Sequence, residues 1–127
     1  MIEFLLRLFL GHKYRKEGEL EQSEKRKVVA IIPTYNEDIE TLINTINSLI
    51  PQVDKVIVVD DGSNNRLERS DIFRMFVDVF DEKIAIATQK NAGKSKAIAR
   101  AMQYVPKDTD FIITCDSDTE FDKDFVK

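Results

Sequence analysis

Two carboxylates one residue apart, in Asp116-Ser117-Asp118-Thr119, are the groups in this sequence best suited to holding a divalent cation. Such an ion takes hard oxygen ligands and fills its remaining positions with phosphate oxygens and water, so two carboxylates need help from a bound ligand. Asn91-Ala92-Gly93-Lys94 opens a predicted helix. Free backbone N–H groups at a helix start, with Lys94 and Lys96 beside them, make a cradle for phosphate. Two more motifs precede these, Ile31-Ile32-Pro33-Thr34-Tyr35-Asn36-Glu37 and Val58-Val59-Asp60-Asp61-Gly62-Ser63. Tyr35 offers a flat ring for a planar base, and the backbone of residues 33–35 can read the base edge. Asp60 and Asp61 can accept hydrogen bonds from base N–H or ribose hydroxyl groups. Together the four motifs point to a site for a nucleoside diphosphate and a metal.

Each motif also has a plainer use. Asn36 or Asp38 can cap the helix that begins near Ile39. Asp60 can cap a turn with Ser63, and Lys94 and Lys96 can be solvated lysines at a helix start. Glu120 and Asp122 can supplement the cation site or form an exposed acidic loop. Gly93-Lys94-Ser95 is not a Walker A loop, which requires glycine at the position of Thr88 and a place after the first strand. A calcium loop needs more alternating oxygen ligands than Asn64 and Asn65 supply. A haloacid-dehalogenase-like phosphatase, suggested by Asp116-Ser117-Asp118-Thr119, needs its nucleophilic aspartate after the first strand and not the fourth.

The elements that must position these groups follow from hydrophobic pattern. Short apolar runs at residues 28–32, 56–59, 84–87 and 111–115 read as strands buried on both faces. Between them apolar residues recur at helical spacing. The first set is Ile39, Leu42, Ile43, Ile46, Leu49 and Ile50, closed by Pro51; the second is Ile72, Phe73, Phe76, Val77 and Phe80; the third is Ala97, Ile98, Ala101, Met102 and Val105. The alternation predicts an α/β fold, a Rossmann-like parallel sheet with helices on both faces. The order expected by analogy is 3-2-1-4, with the fourth strand at an edge. Ligands of such sheets bind beyond the carboxyl ends of the strands, where all four motifs fall.

Composition narrows the remaining choices. A chain of 127 residues with 43% apolar residues suits one small domain. Its net charge of −4 gives no basic footprint, which argues against nucleic acid as a partner. Cys115, the single cysteine, cannot form an internal disulfide and reads as a buried, inert thiol in a reducing, cytoplasmic compartment. His12, the only histidine, reads as a surface residue. Ile2, Phe4, Leu5, Leu6, Leu8, Phe9 and Leu10 are apolar, and a basic cluster at residues 12–16 follows them. The stretch is shorter than the roughly 20 residues of a transmembrane helix and lacks the marks of a signal peptide. It is either a peripheral contact of residues 2–16 with the cytoplasmic face of a membrane or a helix docked on protein. Residues 1–27 are therefore read as this apolar segment plus a charged linker, and residues 28–127 as the binding domain.

In their order, Val-Asp-Asp-Gly-Ser, Asn-x-Gly-Lys and Asp-Ser-Asp-Thr resemble the family 2 glycosyltransferases of GT-A fold. The hyaluronan synthase and chitin-oligosaccharide synthase branch is the most similar. The resemblance runs from Val28 to about Lys127. It implies a UDP-sugar donor, with Pro33, Thr34, Tyr35, Glu37 and Asp61 in the uridine region and Asp60 a further member. It implies Lys94 near the diphosphate, and Asp116 and Asp118 as the DxD ligands of Mg²⁺ or Mn²⁺. The implied reaction is inverting glycosyl transfer, with the metal stabilising the leaving diphosphate. Family members continue beyond this point into an acceptor half with a carboxylate general base, and processive ones carry Gln-x-x-Arg-Trp and transmembrane helices. This chain has no Trp, and no residue matches that base. The expectation is thus the donor-binding half of a partial GT-A fold, completed by a C-terminal half or a second chain. The alternative is a noncatalytic regulatory or assembly module.

Overall fold

Four parallel strands pair in the order β3-β2-β1-β4, in a computed structural model that describes residues 26–126. The strands are β1 (Val28–Thr34), β2 (Lys55–Asp60), β3 (Ile84–Thr88) and β4 (Phe111–Thr114). Helix α1 (Ile39–Leu49) follows β1, α2 (Asp71–Phe80) follows β2, and α3 (Lys94–Ala101) follows β3. Order and strand direction agree with the sequence reading. The apolar terminus, His12 and most of the charged linker lie outside the described residues. No helix among the described residues is long and apolar enough to cross a membrane.

Register explains why β1 and β2 are apolar throughout. Ala30 pairs with Val56 and Ile32 with Val58, while Ile31 pairs with Ile57. Alternate side chains point to opposite faces of a sheet. Val28, Ala30, Ile32, Val56 and Val58 accordingly pack with Leu42, Ile46 and Leu49 of α1 and Phe73 of α2. Val29, Ile31, Ile57 and Val59 pack on the other face against Ala97 and Ala101 of α3. Helices therefore cover both faces.

Several local expectations are corrected. Ile72 does not face the core. It is 69% exposed, with Met75 and Val79, on the outer side of α2. Phe73, Phe76, Val77 and Phe80, at i, i+3, i+4 and i+7, form the inward stripe. The first helix does end before Pro51, at Leu49, but the chain makes one further 3₁₀ turn, Ile50–Gln52, in which proline is tolerated. Helix α3 ends at Ala101, and Met102–Tyr104 is a 3₁₀ turn. Strand β4 stops at Thr114, one residue earlier than expected, although the Cys115 N–H still donates to the Ile31 carbonyl at 2.8 Å. Cys115 is buried as expected. Burial, and next the charge of Asp116, push its thiol pKa up to about 12, so the thiol stays protonated and unreactive.

Candidate functional site

The four motif loops meet beyond the carboxyl ends of the strands. Asp38 caps α1, accepting from the Thr41 N–H at 3.0 Å. That leaves Asn36 to make the sharp exit from β1, with φ of +54°. The turn is held from β2: the Asn36 N–H donates to Ser63 Oγ at 2.7 Å, and the Asn64 N–H donates to Asn36 Oδ1 at 2.7 Å. Asparagine tolerates this left-handed backbone better than most residues.

Asp60 and Asp61 serve different purposes. Asp60 is 1% exposed, and its two oxygens accept from the N–H groups of Ser63 at 3.0 Å and Leu67 at 3.2 Å. It organises the β2 loop and does not line the cavity, so the turn-capping role proposed for it is what the fold uses. Asp61 accepts from Gln89 Nε2 and the Ala92 N–H, both at 2.8 Å, and from the Gly93 N–H at 3.0 Å. Burial raises its pKa, but the hydrogen bonds from Gln89, Ala92 and Gly93 outweigh that and leave it below its ordinary value. Asp61 thus ties the β2 loop to the start of α3. Gly62 makes the close approach possible: it has φ of +81°, and a Cβ there would stand 2.6 Å from the backbone nitrogen of Asn91.

Pro33, Thr34, Tyr35, Glu37, Asp61, Lys94, Asp116, Ser117 and Asp118 line one cavity of about 370 Å³. Of the residues expected at the site, only Asp60 and Lys96 are not among them. The volume is within the usual range for small-molecule sites, about 300–1,000 Å³. Tyr35 is half exposed. The Thr34 hydroxyl is buried and has no hydrogen-bond partner among the described residues, an unusual state for a buried polar atom. Lys94 Nζ forms an ion pair with Asp116 Oδ1 at 2.8 Å. A second, larger hollow of about 640 Å³ adjoins through Lys94 and Asp116 and is walled by Ile98, Phe121 and Phe125.

Asp116 and Asp118 share the cavity for a reason other than strand alternation, since both lie past the end of β4, where a turn at residues 117–118 follows Asp116. Among the described residues no three His, Cys, Asp or Glu side chains converge to hold a metal ion. Two exposed carboxylates beside a lysine fit an ion that draws its other oxygens from a phosphate ligand. Glu120 and Asp122 line the larger hollow instead.

Sequence reasoning quoted Asn91 and Ser117 within their motifs without giving them a role, and it missed Thr45, Ser48, Gln52 and Gln89, which also tie the loops together. Thr45, Ser48 and Gln52 are polar residues beside the apolar positions of the first helical set, and nothing local marks Gln89.

Comparison with known proteins comes to a consistent result. Residues 29–127 match the family model described as glycosyl transferase family 2. A hyaluronan synthase of Streptococcus pyogenes is 33% identical over 101 residues, covering 73% of this chain and 23% of that protein. An N-acetylglucosaminyltransferase of Azorhizobium caulinodans is 36% identical over 107 residues, covering 79% of this chain and 25% of that protein. The chain thus spans about a quarter of the length of these curated relatives. Among solved structures, S. aureus TarS 1-349 superposes with a TM-score of 0.59 at 25% identity, over 76% of this chain and 29% of that one. GalNAc-T7 with UDP, GalNAc and Mn²⁺ superposes with a TM-score of 0.59 over 74% of this chain and 18% of that one; at 17% identity it bears on the fold alone.

Proposed function

The chain belongs to glycosyl transferase family 2, and from that premise we propose that residues 28–127 form the donor-binding half of a GT-A domain that holds a UDP-sugar and a divalent metal. One observation carries the reading. Side chains from four separate motifs, chosen from sequence for base, diphosphate and metal, line a single cavity.

In this reading uracil packs on Tyr35, with the backbone of residues 33–35 at its edge and the unpartnered Thr34 hydroxyl beneath. Lys94 and the first-turn N–H groups of α3 face the diphosphate, where unpaired donors and the helix dipole favour negative charge. Asp116 and Asp118 hold Mg²⁺ or Mn²⁺, with Asp118 the stronger ligand. When bound, the metal stabilises charge developing on the departing diphosphate. Lys94 adds a second positive charge there, and Asp61 keeps the loop that carries it in place. Inverting transfer also needs an acceptor site and a carboxylate base, which we assign to further sequence or to a second chain. The sugar, the acceptor and a location at the cytoplasmic face of a membrane are part of the proposal.

Saturation-transfer NMR with UDP and Mg²⁺ tests the donor assignment. Transfer to the uracil protons is expected, and none at millimolar UDP contradicts it. A second reading, a noncatalytic assembly module, draws on β4 being a sheet edge. It predicts a dimer or complex by light scattering, and a persistent monomer argues against it.

A further inference from the structure

Ser117, between the two carboxylates, is held at two atoms. Thr45 Oγ1, fully buried on α1, donates to the Ser117 carbonyl at 2.9 Å, with the Thr41 carbonyl at 3.2 Å as its other acceptor. The Ser117 hydroxyl donates to Glu37 Oε1 at 2.7 Å. These contacts matter because the sheet has already let go. Residues 116–118 lie beyond β4, and the last bond to β1 on that side is made by Cys115. Side chains, rather than ladder hydrogen bonds, set the path of the turn.

Helix α1 and the 3₁₀ turn after it extend the hold. Ser48 Oγ accepts from the Phe121 N–H at 2.9 Å. Gln52 donates to the Asp122 carbonyl at 2.6 Å and accepts from the Val126 N–H at 2.7 Å. Thr45 and Ser48 stand three residues apart on α1 and Gln52 closes the 3₁₀ turn after it, and together they make a polar stripe that meets the segment after β4. Each contact of this stripe with the following segment goes to a backbone atom, which fixes the route of the chain whatever side chains it carries.

We infer that Thr45 is a positioning residue for Asp116 and Asp118, acting through the Ser117 carbonyl, with Glu37 as a second support through the Ser117 hydroxyl. The inference rests on the reading of those two aspartates as metal ligands. Two like charges on a short turn repel each other and lose conformational freedom when an ion gathers them. A turn already fixed by α1 has met that cost on folding. It also assigns Glu37 a structural part in the site, distinct from contact with uridine.

The test uses the full chain, UDP and Mn²⁺, with bound Mn²⁺ followed by the loss of its free-ion EPR signal. Thr45→Val removes the hydroxyl and keeps the shape, whereas Thr45→Ser keeps the hydroxyl. Loss of an outer support of a metal ligand lowers affinity by about 10- to 100-fold. We expect Thr45→Val to weaken Mn²⁺ retention by about tenfold, Thr45→Ser to restore it, and affinity for uridine, which carries no phosphate, to be unchanged in both. Unaltered Mn²⁺ retention in Thr45→Val overturns the inference. So does a parallel loss of Mn²⁺ and uridine affinity, which marks general loosening. A wild-type chain that retains no Mn²⁺ with UDP removes the metal reading itself and this inference with it.

Discussion

Lys94 and Asp116, 22 residues apart in sequence, form an ion pair at 2.8 Å between the start of α3 and the Asp-Ser-Asp turn. Each has a different expected partner, the lysine a diphosphate and the aspartate a metal. Without ligands they neutralise each other. Both side chains are more than half exposed, and exposed pairs of this kind contribute at most about 1 kcal/mol. A ligand that supplies a better partner to each can therefore separate them at little cost.

Lys94→Met is accordingly expected to change two affinities in opposite directions. Mn²⁺ alone should bind Asp116 more tightly, by up to about fivefold, because a competing cation is gone. UDP with Mn²⁺ should bind about tenfold more weakly, because a charge-assisted hydrogen bond to phosphate is lost. Calorimetric titration of each ligand separates the effects, and a parallel fall in both affinities contradicts the competition.

Asp61 gives the fold a pH dependence of known sign. Its pKa in the folded chain is below its ordinary value, with burial opposing and hydrogen bonds from Gln89, Ala92 and Gly93 prevailing. The stability it contributes is therefore present above the ordinary carboxylate range and is lost as pH falls through the lowered, folded value. Asp61→Asn should be less stable than wild type at neutral pH, and the difference should shrink on acidification. Thermal unfolding of both proteins from about pH 6 to pH 3 measures this. A gap that stays constant across the range contradicts it.

Gly62 and Gly93 make a matched pair of tests. Both have positive φ, but a methyl group at Gly93 meets open space, whereas one at Gly62 stands 2.6 Å from the Asn91 nitrogen. Gly93, at φ +101° and ψ 162°, sits in a region essentially confined to glycine, so Gly93→Ala should cost about 1–3 kcal/mol from backbone conformation alone. Gly62→Ala should cost roughly 1–3 kcal/mol more, because the Asn91 backbone must shift. Urea unfolding with unchanged m-values checks the ranking, and equal losses contradict it.

Sequence pattern carried most of the fold because β1 and β2 are buried on both faces, which leaves continuous apolar runs that few other structures produce. Gathering Pro33, Tyr35, Lys94, Asp116 and Asp118 was legible for a related reason: each lies at or just past the carboxyl end of a strand or opens the helix after it. What was not legible depends on pairs distant in sequence. The turn cap from Asp60 to Ser63 was offered locally, but nothing local says that Asp61 would instead be held across the site; that depends on Gln89 and Ala92. Nothing in α1 says that Thr45 meets Ser117, because that contact exists only once β4 is laid beside β1. Ile72 was misassigned because a helix rich in apolar residues offers two stripes, and the sheet selects one.

Titration of UDP into the chain at fixed Mn²⁺, for wild type and Asp118→Ala, tests the donor-and-metal account most directly. The account predicts measurable UDP binding by wild type, its loss when EDTA removes the metal, and no binding by Asp118→Ala that still unfolds cooperatively. Wild type that binds no UDP with Mn²⁺ present, or an Asp118→Ala variant that binds it as well as wild type, contradicts the account.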